Sequence, residues 1–168
     1  HKHDYEGELA VVIGTRGRHI TQEDAWDHIA GYTIFNDGSI RDYQTHTTQF
    51  WPGKNFDRSG AMGPWIVTPD ETGDIRAQTL TTRIDGQVEQ QSPISDLAIG
   101  IPELIAYAST VATLEPGDVI ATGTPGGVGN HREPQLFLAP GMKVEVEITG
   151  IGILENGVID EADAPPMA

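Results

Sequence analysis

The apolar positions of this chain fall into short alternating or continuous runs, broken by glycine and proline. Glu6 to Ile13 reads as a strand. Successive strand side chains point to opposite faces, so Leu9, Val11 and Ile13 share one side and Glu6, Glu8, Ala10 and Val12 the other. Gly14 to Arg18 is a turn. Thr21 with Asp24 three residues on resembles a capping box, imperfect because Glu or Gln is the usual partner. It predicts a helix over Gln22 to Ala30, with Gly31 at the C′ position. Tyr32 to Phe35 is a short strand stopped by Asn36-Asp37-Gly38. Arg41 to Gly63 has no periodicity and reads as a long structured loop, a length uncommon unless the loop is functional.

Trp65 to Thr68 is a further strand. Ile75 to Ile84 and Gln87 to Gln91 flank Asp85-Gly86, a strong signal for a tight hairpin with a type I′ turn. Pro102 opens a helix to about Thr113, with proline at the first helical position. Its apolar stripe is Ile101, Leu104, Ile105, Ala108, Val111 and Ala112. After the turn Glu115-Pro116-Gly117-Asp118, the strand Val119 to Thr122 runs into a glycine loop at 123–129. Lys143 to Ile148 alternates, with Val144, Val146 and Ile148 inward. Many short strands and two helices without a βαβ rhythm predict an α+β, mostly β domain.

Length and charge narrow the function. The 168 residues suit one domain. Lys plus Arg number 10 against 25 Asp plus Glu, a net charge of −15. A phosphate backbone or an anionic membrane surface attracts the opposite balance, so neither nucleic acid nor membrane is an expected partner. No apolar run approaches the roughly 18 residues of a membrane span. The chain has no cysteine, which excludes disulfides, thiolate metal sites and a cysteine nucleophile and fits a cytoplasmic protein. His1-Lys2-His3-Asp4-Tyr5 lacks an initiator Met and runs straight into a strand-like segment. The expectation is a single catalytic domain over 1–168 that lacks an upstream segment.

Candidate chemistry begins with Glu6 and Glu8. Period-2 geometry places both carboxylates on one strand face, with Cα atoms about 6.5–7 Å apart. Beside Ala10 and Val12 they repel unless a cation lies between them. Asp37, at a tight turn, is a third acid. Three carboxylates without thiols suit one hard divalent ion, Mg²⁺ or Mn²⁺. The competing reading is a solvated polar strand face. Lys54, between Phe50-Trp51 and Phe56, is placed to hold a substrate carboxylate or an enolate oxygen, or is an ordinary surface lysine. Arg41 and Gln44 follow Asp37 closely and can aim donors at the same spot. Alternatively Arg41 pairs with Asp42 or Asp37, and Gln44 ties down the loop. The glycine loop is neither a P-loop nor a dinucleotide fingerprint. Its N–H groups and the Thr124 hydroxyl can bind a carboxylate, or the loop is only a tight β-connection. His19, His28, His46 and His131 show no ligand spacing and read as surface or satisfied histidines.

Four stretches in order, Asp4-Tyr5-Glu6-Gly7-Glu8-Leu9-Ala10-Val11-Val12-Ile13-Gly14, Gly31 to Asp42, Lys54-Asn55-Phe56-Asp57 with Gly63-Pro64, and Ile120 to Gly129, resemble the fumarylacetoacetate hydrolase family. Gly141 to Leu154 looks like that family's last strands. The resemblance implies a mixed β-sandwich roll, usually dimeric. One Mg²⁺ or Mn²⁺ would be held at Glu6, Glu8 and Asp37. Substrate contacts are implied at Arg41, Gln44, Lys54, Gly123 and Thr124, with Lys54 catalytic. Family substrates are small 2-oxo acids and 1,3-dicarbonyl acids. The first expectation is C–C bond hydrolysis of an acylpyruvate-type acid. The alternatives are isomerisation of hydroxy-diene diacids from aromatic catabolism, decarboxylation of oxaloacetate-like acids, or a non-catalytic, metal-stabilised domain of the same fold. The resemblance also implies a His-Glu dyad on a lid helix upstream of the first glutamate, before this chain begins.

Overall fold

The computed structural model describes residues 1–165. In chain order the strands and helices are β1 (His3–Asp4), β2 (Gly7–Ile13), β3 (Ile29–Asn36), β4 (Ser39–Ile40), the one-turn helices α1 (Arg41–Gln44) and α2 (Trp51–Lys54), and β5 (Ala61–Val67). Then come the one-turn α3 (Pro69–Thr72), β6 (Thr79–Ile84), β7 (Gln87–Pro93), the longer helix α4 (Ile101–Val111), β8 (Val119–Ala121), β9 (Lys143–Ile148) and β10 (Gly152–Gly157). The long strands form two four-stranded sheets, ordered β5-β3-β2-β8 and β10-β9-β6-β7, and β1 pairs with β4 apart from them. Every ladder is antiparallel. The domain is mostly β, as the strand pattern predicts, and its two sheets form the β-sandwich roll that the resemblance implies.

The core lies between the sheets. Leu9, Val11 and Ile13 of β2 belong to one apolar cluster with Leu80 and Ile84 of β6 and Val144, Val146 and Ile148 of β9. The alternation over Lys143 to Ile148 therefore points inward as its sequence predicts. β2, central in its sheet, is buried along its whole length, Glu8 included. The Asp85-Gly86 turn has positive φ at both residues, 49° and 82°, as a type I′ hairpin requires. α4 lays Ile101, Ile105 and Ser109 against the body of the protein, and the buried Ser109 hydroxyl accepts the Ile20 N–H. No helix of the described residues is long and apolar enough to cross a membrane.

Three expectations change. The helix over Gln22 to Ala30 is only a 3₁₀ turn at Ala25–His28. Half of the Thr21–Asp24 box forms: the Asp24 N–H donates to Thr21 Oγ1, while the Asp24 carboxylate accepts the Thr21 hydroxyl rather than its backbone N–H. Yet from Ile29 onward the chain pairs with β2, and that ladder outweighs a local start signal. Gly31 accordingly lies within β3, where a Cβ would fall 2.6 Å from the Val67 carbonyl oxygen. The segment Arg41 to Gly63 contains α1, α2 and the beginning of β5. In α4, Pro102 is the second helical residue after the Gly100 cap, and Val111 and Ala112 are exposed at the helix end.

The inter-sheet core sets a stability expectation. Ile148 is fully buried on a strand paired on both sides. Ile148→Ala should cost about 2–5 kcal/mol in urea-induced unfolding. A loss below about 1 kcal/mol would place the core elsewhere.

Candidate functional site

The β2–β3 ladder builds the acidic cluster. Gly7 pairs with Asn36, so Glu6 sits beside the turn after β3, and the Asp37 N–H donates to the Glu6 carbonyl at 2.8 Å. The Asn36 side-chain oxygen accepts the Glu6 N–H at 3.1 Å. The turn is tight because Gly38 lies against Ser59: a Cβ there would fall 1.7 Å from the Ser59 carbonyl oxygen. One carboxylate oxygen each from Glu6, Glu8 and Asp37 then lie within 4.8 Å of one another. Glu6 and Glu8 are 8 % and 3 % exposed, which rules out a solvated strand face.

Lys54 reaches the cluster from α2. Gly53 lets α2 rest on α1, since a Cβ would be 2.7 Å from Gln44 Cα. The Lys54 Nζ lies 2.6 Å from Glu6 Oε2 and 2.7 Å from Asp37 Oδ2, so it is no ordinary surface lysine. Burial works against its charge, but its hydrogen bonds with Asp37 and Glu6 more than offset that, and its pKa is raised. It remains cationic. Burial pushes the Glu8 carboxyl up to about 7; the Gly123 N–H works against that shift, and the charges of Asp37 and Glu6 add to it.

Arg41 takes the other Glu6 oxygen. Its Nη1 is 2.7 Å from Glu6 Oε1, and its Nε and Nη2 each lie 2.8 Å from Asp4 Oδ2. The alternative pairings with Asp42 or Asp37 are not found, because Asp42 faces His1 and the Lys2 N–H. The Gln44 side-chain oxygen accepts from Arg41 Nη1 at 3.0 Å. The Gly123 N–H donates to Glu8 Oε2 at 2.9 Å. Thr124 joins less directly, its hydroxyl donating to the Gly7 carbonyl and accepting from Gln90 Nε2.

Glu6, Glu8, Asp37, Lys54, Arg41, Gln44 and Gly123 thus form one connected network. Sequence reasoning missed two members. Asp4 is fully buried beneath Arg41, and Gln90 is 1 % exposed and also accepts the Gly7 N–H. An acid next to Tyr5 and a glutamine in a polar strand carry no signal of their own. The histidines stay apart. His3 reaches the Ser59 carbonyl, His28 the Thr15 carbonyl, and His46 stacks near Tyr43. Among the described residues none hydrogen-bonds to Glu6, Glu8, Asp37 or Lys54.

With this geometry in hand, comparison with known proteins is informative. A family model described as fumarylacetoacetate (FAA) hydrolase C-terminal matches residues 1–159. The oxaloacetate tautomerase YisK of Bacillus subtilis (strain 168) is 46% identical over 155 residues, covering 92% of this chain and 52% of the relative. The human mitochondrial oxaloacetate tautomerase FAHD2B is 42% identical over 158 residues, 93% of this chain and 50% of its own. The chain spans about half the length of these curated relatives. Among solved structures, a fumarylacetoacetate hydrolase from Exiguobacterium antarcticum superposes with a TM-score of 0.90 at 42% identity, covering 94% of this chain and 57% of that one. A 2-hydroxyhepta-2,4-diene-1,7-dioate isomerase from Mycobacterium marinum gives 0.87 at 38% identity, covering 96% and 60%. A model matched over nearly all of the described residues, on the fold and acidic cluster above, makes this chain a member of the fumarylacetoacetate hydrolase C-terminal family.

Proposed function

We propose that this protein is a divalent-metal-dependent enzyme that interconverts the enol and keto forms of a small 2-oxo acid of the oxaloacetate type. The observation that carries the reading is a cationic Lys54 in contact with two members of a three-carboxylate cluster. Both the metal and the lysine favour negative charge on an enol oxygen. The donor set fits the ion. It is all oxygen, and burial, with the repulsion of Asp37 and Glu6 added, leaves the Glu8 carboxylate in need of a counter-charge. Glu6, Glu8 and Asp37 would hold Mg²⁺ or Mn²⁺. When bound, such an ion supplies Lewis acidity toward the 2-oxo group.

The chain's own residues do the rest. Lys54 places positive charge beside the oxygen that gains charge as the keto form's C–H proton passes to solvent water and a proton is taken up on that oxygen, in a half-buried setting where a fixed charge acts strongly. Because it stays cationic it is a donor and not a base. Arg41 fixes the orientation of Glu6. Gln44 on Arg41, and Gly123 with Thr124 across β2, edge the same cluster and are the positions we assign to the substrate's carboxylate end. The cysteine-free sequence suits a reducing, cytoplasmic setting. We include homodimerisation in the reading. The reading is consistent with the exposed apolar side chains Met62, Trp65 and Ile66 of β5 and Ile153 of β10, two neighbouring edge strands.

C–C hydrolysis of acylpyruvates ranks second, although the sequence places it first. The same enolate serves both reactions, and one solved relative is titled a fumarylacetoacetate hydrolase. Both reactions need a proton acceptor and no described histidine contacts the cluster, but hydrolysis must in addition activate a water as the nucleophile. The curated relatives named for oxaloacetate tautomerisation shift our preference.

The test follows loss of enol absorbance from oxaloacetate, with Mn²⁺ or with EDTA, beside acylpyruvate cleavage. Metal-dependent tautomerisation should be the faster reaction. Faster cleavage would restore the hydrolase reading, and neither activity in a Mn²⁺-binding protein would favour a non-catalytic domain. Lys54→Met should lower kcat by about 10²–10³-fold. Its Mn²⁺ affinity should hold or rise, because a competing cation leaves the carboxylates. An unchanged kcat would remove Lys54 from the mechanism.

Metal binding should depend on pH. Ligation needs the Glu8 carboxylate, and Glu8 titrates at about 7. Below that value binding expels a proton, so Mn²⁺ affinity should rise by up to about tenfold per unit as pH approaches 7, then level off. Stability of the metal-free protein runs the other way. The Glu8 pKa is raised above its ordinary 4.5, so its contribution is fully present below 4.5 and lost as pH rises to about 7. Added Mn²⁺ should therefore raise the Tm more at pH 8 than at pH 5.5. A shift independent of pH would contradict Glu8 as a ligand.

A further inference from the structure

We propose that Asp4 is the positioning residue of this site, acting on the acidic cluster through Arg41; the inference rests on the metal reading above. Asp4 touches none of Glu6, Glu8, Asp37 or Lys54 through its carboxylate, yet it is fully buried. Its Oδ1 accepts the N–H groups of Gly129 and Tyr5 at 2.7 and 2.9 Å. Its Oδ2 accepts the Asn130 N–H at 2.8 Å and Arg41 Nε at 2.8 Å, with Arg41 Nη2 at the same distance. A buried carboxylate persists only when its lone pairs are met in this way.

The placement gives this saturation a consequence. β1 pairs with β4, Asp4 opposite Ser39, so Asp4 is anchored to the short stretch between Asp37 and Arg41. Held from one side by Asp4, the guanidinium presents only Nη1 to Glu6 Oε1, at 2.7 Å, leaving Oε2 to Lys54. Asp4 also ties in the end of the glycine loop. A Cβ at Gly129 would lie 1.6 Å from the Leu136 carbonyl oxygen and 2.8 Å from Asp4 Oδ1, so only glycine approaches so closely there. Without the charge on Asp4, Arg41 is left with Glu6 as its one anionic partner. It can then close on both Glu6 oxygens and compete with a metal ion for that ligand.

The experiment is a double-mutant cycle of D4N and R41Q, read by Mn²⁺ titration calorimetry, with near-UV circular dichroism as the check of fold. D4N should weaken Mn²⁺ binding by about 10–100-fold, the usual size of an effect one step behind a ligand. In the R41Q background the same change should shift the Kd less than about threefold, because the group Asp4 acts through is gone. A merely structural role would weaken binding equally in both backgrounds. Either that result, or a D4N affinity within about threefold of wild type, overturns the inference. Should D4N not fold, R41K tests the relay from its other end, because a lysine keeps the charge but cannot hold Asp4 and Glu6 at once: a loss of about 10–100-fold supports it, and an affinity within about threefold of wild type refutes it. A wild-type protein that binds no Mn²⁺ refutes instead the metal reading beneath it.

Discussion

Charge compensation in a buried space governs this molecule. Asp4, Glu6, Glu8 and Asp37 converge where β1, β2 and the turn after β3 meet, and the first three of them are buried. Lys54 and Arg41 are the side-chain cations that answer them. Four carboxylates against two cations leave two negative charges when all are ionised. Glu8 bears most of that imbalance: it alone among these acids has no side-chain cation in contact, and burial first, with the charges of Asp37 and Glu6 added, pushes its carboxyl up to about 7. The deficit is the size of one divalent ion. A fold that gathers acids this closely, on strands whose apolar faces it needs for the core, bears an electrostatic cost that a hard cation relieves.

Backbone dipoles meet part of the same demand. The sequence presents the loop at 123–129 as a bed of free N–H groups able to receive an outside carboxylate. In the fold several are already committed inward: Gly123 to Glu8, and Gly129 with Asn130 beside it to Asp4. The glycines therefore serve close approach to the protein's own acids. Gly127 shows the same logic on the other side, where a Cβ would lie 2.2 Å from the Glu89 carbonyl oxygen. The loop is less a receptor built in advance than a lattice of donors fixing where the acids stand. What it offers a substrate is what remains at its edge, beside Glu8.

Local patterns made much of the fold legible. The alternation of Lys143 to Ile148, the Asp85-Gly86 turn and the apolar stripe opening at Ile101 each depend on residues within a few positions of one another. The strand Glu6 to Ile13 was legible for the same reason, and with it the shared face of Glu6 and Glu8. The segment after Thr21 shows the limit. One of its two capping bonds forms, but the chain beyond it belongs to β3, whose partners β2 and β5 are other segments of the chain. Gly31 looks like a helix stop and is instead the residue that lets β3 pass close to the Val67 carbonyl. Long-range pairing decided both.

The site divides along the same line. Its members that carry chemistry are recognisable because their residue types are unusual where they stand: two acids alternating inside an apolar strand, an acid at a turn, a lysine among aromatics. Arg41 was visible, but its partners were not. Its neighbours in sequence, Asp37 and Asp42, are plausible on proximity, and the fold gives it Asp4 and Glu6 from more than 30 residues away. Gln90 is hidden for the same reason. It sits on the second sheet, and only the sandwich brings it between the Gly7 N–H and the Thr124 hydroxyl. The groups we assign to metal and substrate are marked by their own chemistry. Groups that hold them are marked by whom they touch, which exists only once the sheets have packed. In this protein the packing and the site are one construction, since the strand that fills the core with Leu9 and Val11 carries Glu8 and begins directly after Glu6.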